Sequence, residues 1–234
     1  AQQIERIWAS KFDIATRSIR KNHTGIRSYE ISADYPQIKR ARTRDRLRFN
    51  RWIRSKVMGY VREFEQLEQS AEISDRRRKL PPAHITEGLK LWYTVYYSDS
   101  RLISLRLTHS VMAIGQMHPI DYYETINYDI QRRAPLREHQ VFKNGYAKVF
   151  SAYTREHVQV NYEMDYTRDD WLKKGTSPRR DNFSNWNIVP EGILIAFEDY
   201  QIASHSFGQL ELIIPYPELK AVLRRGAATS RFLH

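Results

Sequence analysis

The sequence predicts an α+β fold in which an antiparallel sheet packs with one long amphipathic helix and one or two shorter helices. Stretches of alternating apolar residues follow one another with short links, which is typical of a hairpin, a meander and a C-terminal strand pair. A single long segment instead has apolar residues at intervals of three and four, which is the period of a helix. Because helices and strands are segregated rather than strictly alternating, α+β is favoured.

The first elements are predicted to be a β-hairpin and then the long helix. Residues 12–36 alternate on both sides of an Asn-His-Thr-Gly turn, and Pro36 is expected to end the second strand. Thr43 or Asp45 is placed to cap the helix N-terminus. The apolar face of the helix is predicted to contain Phe49, Ile53, Val57, Tyr60, Phe64 and Leu67.

The rest of the chain is predicted to complete the sheet. The expected strands are 89–97, 103–111, 120–130, 193–197 and 209–214, with a helix over 146–160 and a short one at Pro217. Residues 166–186 are expected to form a long polar loop. No repeat or linker divides the chain, so we predict a single module over 1–223, with two tightly packed halves near 29–85 and 89–223 as an alternative, and a loose basic tail over 224–234.

Composition limits the classes of function. The 234 residues are 41% hydrophobic, enough for a core, and contain no Cys, which excludes disulfides, thiolate nucleophiles and Cys-based metal sites. No apolar run reaches the length of a membrane span. The net charge of +11 favours acidic partners such as nucleic acid, anionic lipid or an anionic envelope polymer, although a solvated basic surface has the same signature.

Several motifs resemble those of a bacterial extracytoplasmic family. Residues 29–64 contain Tyr-Pro-x-Ile before a helix that opens near an Asn, and 91–142 contain Ile-Ser, Gly-x-x-His and Thr-x-Asn. Residues 192–223 contain Phe-x-x-Tyr-x-Ile-Ala and Pro-Tyr-x-x-Leu. This pattern is similar to a module found in the anti-sigma factor RsiV and in the non-catalytic N-terminal half of the peptidoglycan deacetylase PdaC, with many members known only as domains of unknown function.

The resemblance implies an extracytoplasmic, non-enzymatic binding or sensing module without a cofactor. Its partner would be an envelope protein or an anionic envelope polymer, and a signal peptide would have been removed before Ala1. The RsiV module binds lysozyme, but lysozymes of that type are basic, and like charge disfavours such a partner for this chain. The chain length and charge leave the oligomeric state open.

Two groups of candidate binding residues follow. Arg44, Arg48, Arg51 and Arg54 share one helix face, and Arg76, Arg77 and Arg78 lie in the next predicted loop. Arginine binds phosphate and carboxylate through two parallel hydrogen bonds, although a solvent-exposed face without a ligand is the alternative. The family motifs add the loop candidates His118, Tyr122, Tyr123, Tyr200 and His205, and burial of the tyrosines in the sheet is the alternative there.

The main alternative is an envelope hydrolase or deacetylase centred on His118 or His205. His109-Ser110 and His118-Pro119 are superficially similar to a deacetylase metal motif, but their spacing is too wide. His205 lies between two serines, and adjacent residues of a strand point in opposite directions, which disfavours a Ser-His pair. A nucleic-acid binder is a further alternative, without a recognisable motif.

Overall fold

The computed structural model describes residues 13–24, 28–70, 87–113, 116, 118–162, 169–203, 209–224, 228–229 and 232. Within these residues the predicted α+β class is confirmed by a mixed six-stranded sheet, an antiparallel three-stranded sheet and five α-helices. The six-stranded sheet has the order β1 (Ile14–His23), β2 (Tyr29–Ile38), β3 (Glu87–Ser98), β4 (Leu102–Met112), β5 (Ile120–Asp129), β6 (Ala134–Pro135). The smaller sheet has the order β7 (Trp186–Val189), β8 (Gly192–Ala196), β9 (Glu211–Pro215). The helices are α1 (Arg44–Glu68), α2 (Glu138–Val141), α3 (Tyr146–Tyr162), α4 (Asp170–Gly175) and α5 (Tyr216–Leu219), with a 3₁₀ turn at Arg180–Phe183.

The described residues form two compact units. The first contains 13–94 and 107–123, and the second contains 95–106 and 124–232. The boundary falls within β3, β4 and β5, so each of these strands contributes residues to both units. The extent of the module over 1–223 stays a prediction.

The predicted hairpin is confirmed in the first unit. β1 and β2 are antiparallel from Ile14↔Ile38 to His23↔Tyr29. Pro36 does not end β2, contrary to the prediction, because the pairing of β2 with β3 stops at Ala33 and only β1 lies beside Pro36. β2 and β3 are also parallel rather than antiparallel. The α1 helix lies in their connection, and a parallel pair needs such a long crossover.

The long helix is confirmed as α1. The Thr43 hydroxyl accepts a hydrogen bond from the Arg46 amide at 3.4 Å and caps the N-terminus. The fully buried face consists of Phe49, Ile53, Val57, Val61, Phe64 and Glu68. Leu67 is 43% exposed, so its predicted burial is wrong. The buried stripe advances by four residues from Phe64 to Glu68, which turns Leu67 toward solvent.

The second unit contains most of the apolar core. α3 confirms the predicted helix, and β8 and β9 confirm the strand pair. The predicted loop over 166–186 is wrong because it contains α4 and the 3₁₀ turn. The Asp169 carboxylate starts α4 by accepting hydrogen bonds from the Trp171 and Leu172 amides at 2.9 and 3.0 Å.

Two described residues of the predicted loose tail, Thr229 and Phe232, are packed in the second unit. Thr229 is fully buried, and the Phe232 ring stacks on Tyr216 with centroids 5.6 Å apart. These contacts order residues that composition alone suggested were mobile. None of the helices described in the structure has both the length and the apolar content needed to span a bilayer.

Candidate functional site

The four helical arginines of the predicted basic face lie on α1 as expected. Arg44, Arg48, Arg51 and Arg54 are all exposed, opposite the buried stripe, and we call them the arginine face. Within the described residues none of the four forms an ion pair. The positive charge of the arginine face is therefore not cancelled by neighbouring carboxylates of the described chain.

Asn50 fixes α1 against the hairpin. Its side-chain oxygen accepts from the Ile38 amide at 2.8 Å, and its side-chain nitrogen donates to the Ile38 carbonyl at 3.0 Å. Gln37 donates to the Asn50 carbonyl at 3.1 Å. These bonds and the buried stripe hold the orientation of the helix, so the arginine face is presented on a rigid element. Arg76, Arg77, Arg78 and His205 lie outside the described residues, and their roles stay predictions.

Tyr122 belongs to a column of three stacked rings in the first unit. The Tyr60 ring stacks on His109 at 4.4 Å between centroids, and His109 stacks on Tyr122 at 5.1 Å. Tyr122 is 45% exposed, so the outer face of the column is open, whereas its neighbour Tyr123 is half-buried. The structure thus places Tyr122 at the surface, where the sequence left both exposure and burial open.

Tyr200 lies in a second exposed aromatic pair. Its ring stacks on Trp171 at 5.8 Å with an angle of 13° between the planes, and the two residues are 48% and 43% exposed. Tyr200 has a φ of 64°, a left-handed backbone conformation that is uncommon outside glycine. Tyr200 thus presents an exposed aromatic ring within residues 192–223, the segment with the Phe-x-x-Tyr-x-Ile-Ala and Pro-Tyr-x-x-Leu patterns, which we call the closing motif.

His118 has the geometry of a turn residue. It is exposed, and its Nδ1 lies 3.1 Å from the Pro119 carbonyl oxygen. In the part of the chain that the structure describes, no three His, Asp or Glu side chains come together in a group that could hold a metal ion. The adjacent carboxylates Asp169 and Asp170 belong to the start of α4, where Asp169 is the N-cap and Asp170 lies in the first turn.

The Thr-x-Asn and Ile-Ser motifs form a buried polar network in the second unit. The Thr125 hydroxyl accepts from the Trp186 amide at 3.0 Å, and Asn127 donates to the Trp186 carbonyl at 2.9 Å. Asn127 also accepts from the Ile188 amide at 2.8 Å and from the Ser104 hydroxyl at 2.9 Å. The motifs therefore bind the backbone of β7, and their role is structural.

The closing motif is structural as well. Phe197 and Ile202 are buried, and Gln201 donates to the carbonyls of Gly175 and Asn182 at 3.1 and 2.9 Å. The Tyr216 hydroxyl donates to the Val189 carbonyl at 2.7 Å. These contacts connect the segment after β8 to α4 and to the 3₁₀ turn, and they connect α5 to β7.

A partly buried charged pair also lies in the second unit. Arg106 pairs with Glu211, and the Tyr96 hydroxyl donates to Glu211 at 3.2 Å. Burial raises the pKa of Tyr96, the Arg106 charge lowers it, and the carboxylate of Glu211 raises it. Tyr96 therefore stays protonated and serves as a donor within a packed cluster.

Sequence reasoning missed a basic cavity in the second unit. Its lining comes from three segments, around α2, at Arg180 and at Arg224. Each segment contributes only one or two arginine or lysine residues to the lining. Since such residues are frequent throughout this chain, no local sequence pattern distinguishes those that line the cavity. Only the contact of 141–143 with 222–224 brings these positions together.

Comparisons with known proteins agree with the motifs. Residues 139–217 match the model of a family described as protein of unknown function (DUF3298). The chain is 23% identical over 199 residues to the peptidoglycan-N-acetylmuramic acid deacetylase PdaC of Bacillus subtilis strain 168. That match covers 85% of this chain but 40% of PdaC. The predicted resemblance to part of PdaC is confirmed, whereas the resemblance to RsiV stays a prediction.

Two crystal structures share the fold. A DUF3298 family member from Bacteroides fragilis NCTC 9343 superposes with a TM-score of 0.69 at 13% identity, covering 92% of this chain and 94% of the other. A DUF3298 family protein from Pseudomonas aeruginosa PAO1 superposes with a TM-score of 0.59 at 15% identity, covering 92% and 95%. The match extends over nearly all of both chains, so the fold is that of these family members.

Proposed function

We propose that this chain is a non-enzymatic, extracytoplasmic binding module whose arginine face engages an anionic polymer of the cell envelope. The observation that carries the proposal is the exposure of four arginines on one rigid helix face without carboxylate partners among the described residues. The net charge of +11 adds a long-range attraction for acidic partners. An acidic envelope protein is the second candidate partner, because arginine binds the carboxylates of a protein as well as those of an anionic polymer.

The similarity to PdaC supports the envelope location. PdaC is by name a deacetylase of peptidoglycan, a polymer that lies outside the cytoplasmic membrane. This chain spans about two fifths of the length of PdaC, and the family model that it matches is described without a function. A binding module that attaches a larger protein to peptidoglycan is compatible with the partial match to PdaC and with the family description.

The test is co-sedimentation of the purified chain with isolated peptidoglycan sacculi. The Arg48→Glu, Arg51→Glu variant removes two charges from the arginine face and adds two of opposite sign. The control variant is Lys148→Glu, Lys220→Glu, because both lysines are exposed elsewhere and the change in net charge is the same. We expect the arginine variant to lose at least about tenfold in affinity and the control to change little, since loss of charge-assisted bonds exceeds a general charge effect.

Equal losses in the two variants, or no binding by the unmodified chain, would contradict the proposal. Retention of an acidic protein from envelope extract, with sacculi left unbound, would assign the arginine face to the second candidate. Deacetylase or hydrolase activity that disappears in His118→Ala would establish the enzymatic alternative. Binding to duplex DNA that exceeds binding to sacculi, with a steep loss in salt, would favour the nucleic-acid alternative.

A further inference from the structure

The basic cavity of the second unit is a candidate ligand site that does not depend on the arginine face. It has a volume of about 230 Å³. Its lining consists of Arg137, Glu138, His139, Phe142, Lys143, Asn144, Tyr146, Arg180 and Arg224. Four of these residues are basic, namely three arginines and one lysine, and one is a glutamate. We call this site the cation cavity.

Neutral groups hold three of the cations in place. Arg180 donates to the Asn144 side-chain oxygen at 3.2 Å, and the Lys143 ammonium donates to a backbone carbonyl, that of Ala221, at 3.0 Å. Arg224 donates through Nε to the Phe142 carbonyl at 3.1 Å. Within the described residues none of the four cations forms an ion pair. Because these acceptors orient the side chains without cancelling their charge, the cation cavity has an excess of positive charge.

The backbone around the cation cavity is firmly connected. Phe142 and Leu223 form an antiparallel bridge, the Lys143 amide donates to the Val222 carbonyl at 2.7 Å, and the Arg224 amide donates to the Val141 carbonyl at 2.9 Å. Two segments that are about eighty residues apart in sequence are therefore fixed side by side. A preformed arrangement of charges costs little ordering entropy when a ligand binds.

Tyr146 brings a buried hydroxyl to the cation cavity. The residue is 3% exposed, and its ring stacks on Phe142 at 4.9 Å. Burial raises the pKa of Tyr146, and hydrogen bonding to the Glu138 carboxylate and its charge raise it further, so the hydroxyl stays protonated. The contact with Glu138 falls short of full hydrogen-bond geometry, so a phosphate oxygen in the cavity would compete with Glu138 for this donor.

We propose that the cation cavity binds the phosphate group of a small ligand. A phosphate carries up to two negative charges and has several acceptor oxygens around a tetrahedral centre, which suits donors that come from three separate segments. A water molecule occupies about 30 Å³ of liquid, so the cavity has room for a phosphate with a short organic substituent. The guanidinium groups of Arg180 and Arg224 and the Tyr146 hydroxyl are the expected donors.

The test is an NMR titration of the full chain at constant ionic strength. Inorganic phosphate and glycerol 3-phosphate are the probes, and malonate is the carboxylate comparison. We expect saturable shifts of the amides of 137–146, 180 and 224 with both phosphates, and weaker binding of malonate. If inorganic phosphate binds and glycerol 3-phosphate does not, the ligand is free phosphate. If malonate binds more tightly than either, or if neither phosphate binds, the proposal is wrong.

Three variants test the assignment of the donors. Arg180→Gln should weaken phosphate binding by about tenfold or more, and Tyr146→Phe by roughly three- to tenfold, as expected for a charged and a neutral hydrogen bond. Arg179→Gln is the matched control. Arg179 precedes Arg180 in the sequence and has the same charge, but its side chain does not line the cavity. A loss in Arg179→Gln equal to that in Arg180→Gln would show nonspecific attraction and overturn the assignment. These variants do not touch the arginine face, so either proposal can fail without the other.

Discussion

Replacing Asn127 with alanine is expected to lower the free energy of unfolding of the second unit by about 3 kcal/mol. Asn127 is 3% exposed and makes three hydrogen bonds, to Trp186, Ile188 and Ser104, at 2.8 to 2.9 Å. Each such bond contributes about 1 kcal/mol net. In Asn127→Ala all three partners stay buried and lose their bond to Asn127. The loss in free energy is therefore expected to equal the sum of the three contributions.

The assay combines urea unfolding with hydrogen exchange. The urea midpoint should fall without a change in slope, and exchange of the Ile188 amide should accelerate because its acceptor has been removed. Asn22→Ala is the control, since Asn22 is exposed on β1, and it should change the stability by less than about 0.5 kcal/mol. The local exchange measurement matters because two compact units need not unfold in one transition.

An isosteric variant separates the donor from the acceptor of Asn127. Asn127→Asp keeps the acceptor but places a carboxylate against the Trp186 carbonyl, and only the protonated acid can donate to it. Burial then raises the folded pKa of the new acid above its unfolded value, so the variant should be more stable at acidic pH and lose stability as pH rises. A loss below about 1 kcal/mol for Asn127→Ala, or the opposite pH trend for Asn127→Asp, would refute the reasoning.

Further predictions concern two glycines and one carboxylate. Gly175→Ala should destabilise by about 2 kcal/mol in urea unfolding, because a Cβ there would lie 2.0 Å from the Gln201 carbonyl oxygen. Gly59→Ala, in open space on α1, should instead stabilise by about 0.5 to 1 kcal/mol, and the opposite order would contradict both predictions. Ser18→Ala should raise the pKa of Asp34, which the Ser18 hydrogen bond lowers, as measured by NMR titration of the carboxyl carbon. The Asp34 carboxylate stabilises the fold above its unfolded pKa, and in the variant this stability should be lost at a higher pH as the solution is acidified. An unchanged pKa of Asp34 would exclude the Ser18 bond as the cause of the lowered pKa.

The sequence was most informative where one residue face is buried over a long distance. α1 was predicted because its apolar period persists from Phe49 to Leu67, about five turns, and the hairpin because alternation on both sides of a turn determines the pairing. The parallel direction of β2 and β3 could not be read in the same way. Alternation is the same in parallel and antiparallel strands, and only the position of α1 between them contains that information.

Short elements and the cation cavity escaped prediction for physical reasons. β7 has four residues and α4 has six, and both derive their stability from tertiary contacts such as the bonds of Asn127 rather than from their own pattern. The cavity has no sequence signature because its residues meet only after the bridge between Phe142 and Leu223 has formed. The arginine face could be predicted since its residues share one helix, but no pattern shows which carboxylates would pair with them.

The two edges of the six-stranded sheet have a consequence for self-association. Among the described strands β1 is one edge, and its exposed residues include Arg17, Arg20 and Lys21. Arg20 pairs with Asp34 and Lys21 with Glu65, so another strand approaching this edge would meet charged and ion-paired side chains. The other edge is β6, which is only two residues long and ends in Pro135, a residue without an amide hydrogen. Within the described strands neither edge presents a long run of exposed apolar side chains, and both features discourage the growth of the sheet from one molecule into the next. The charged side chains of β1 therefore oppose edge-to-edge association, and they do so independently of the arginine face on α1.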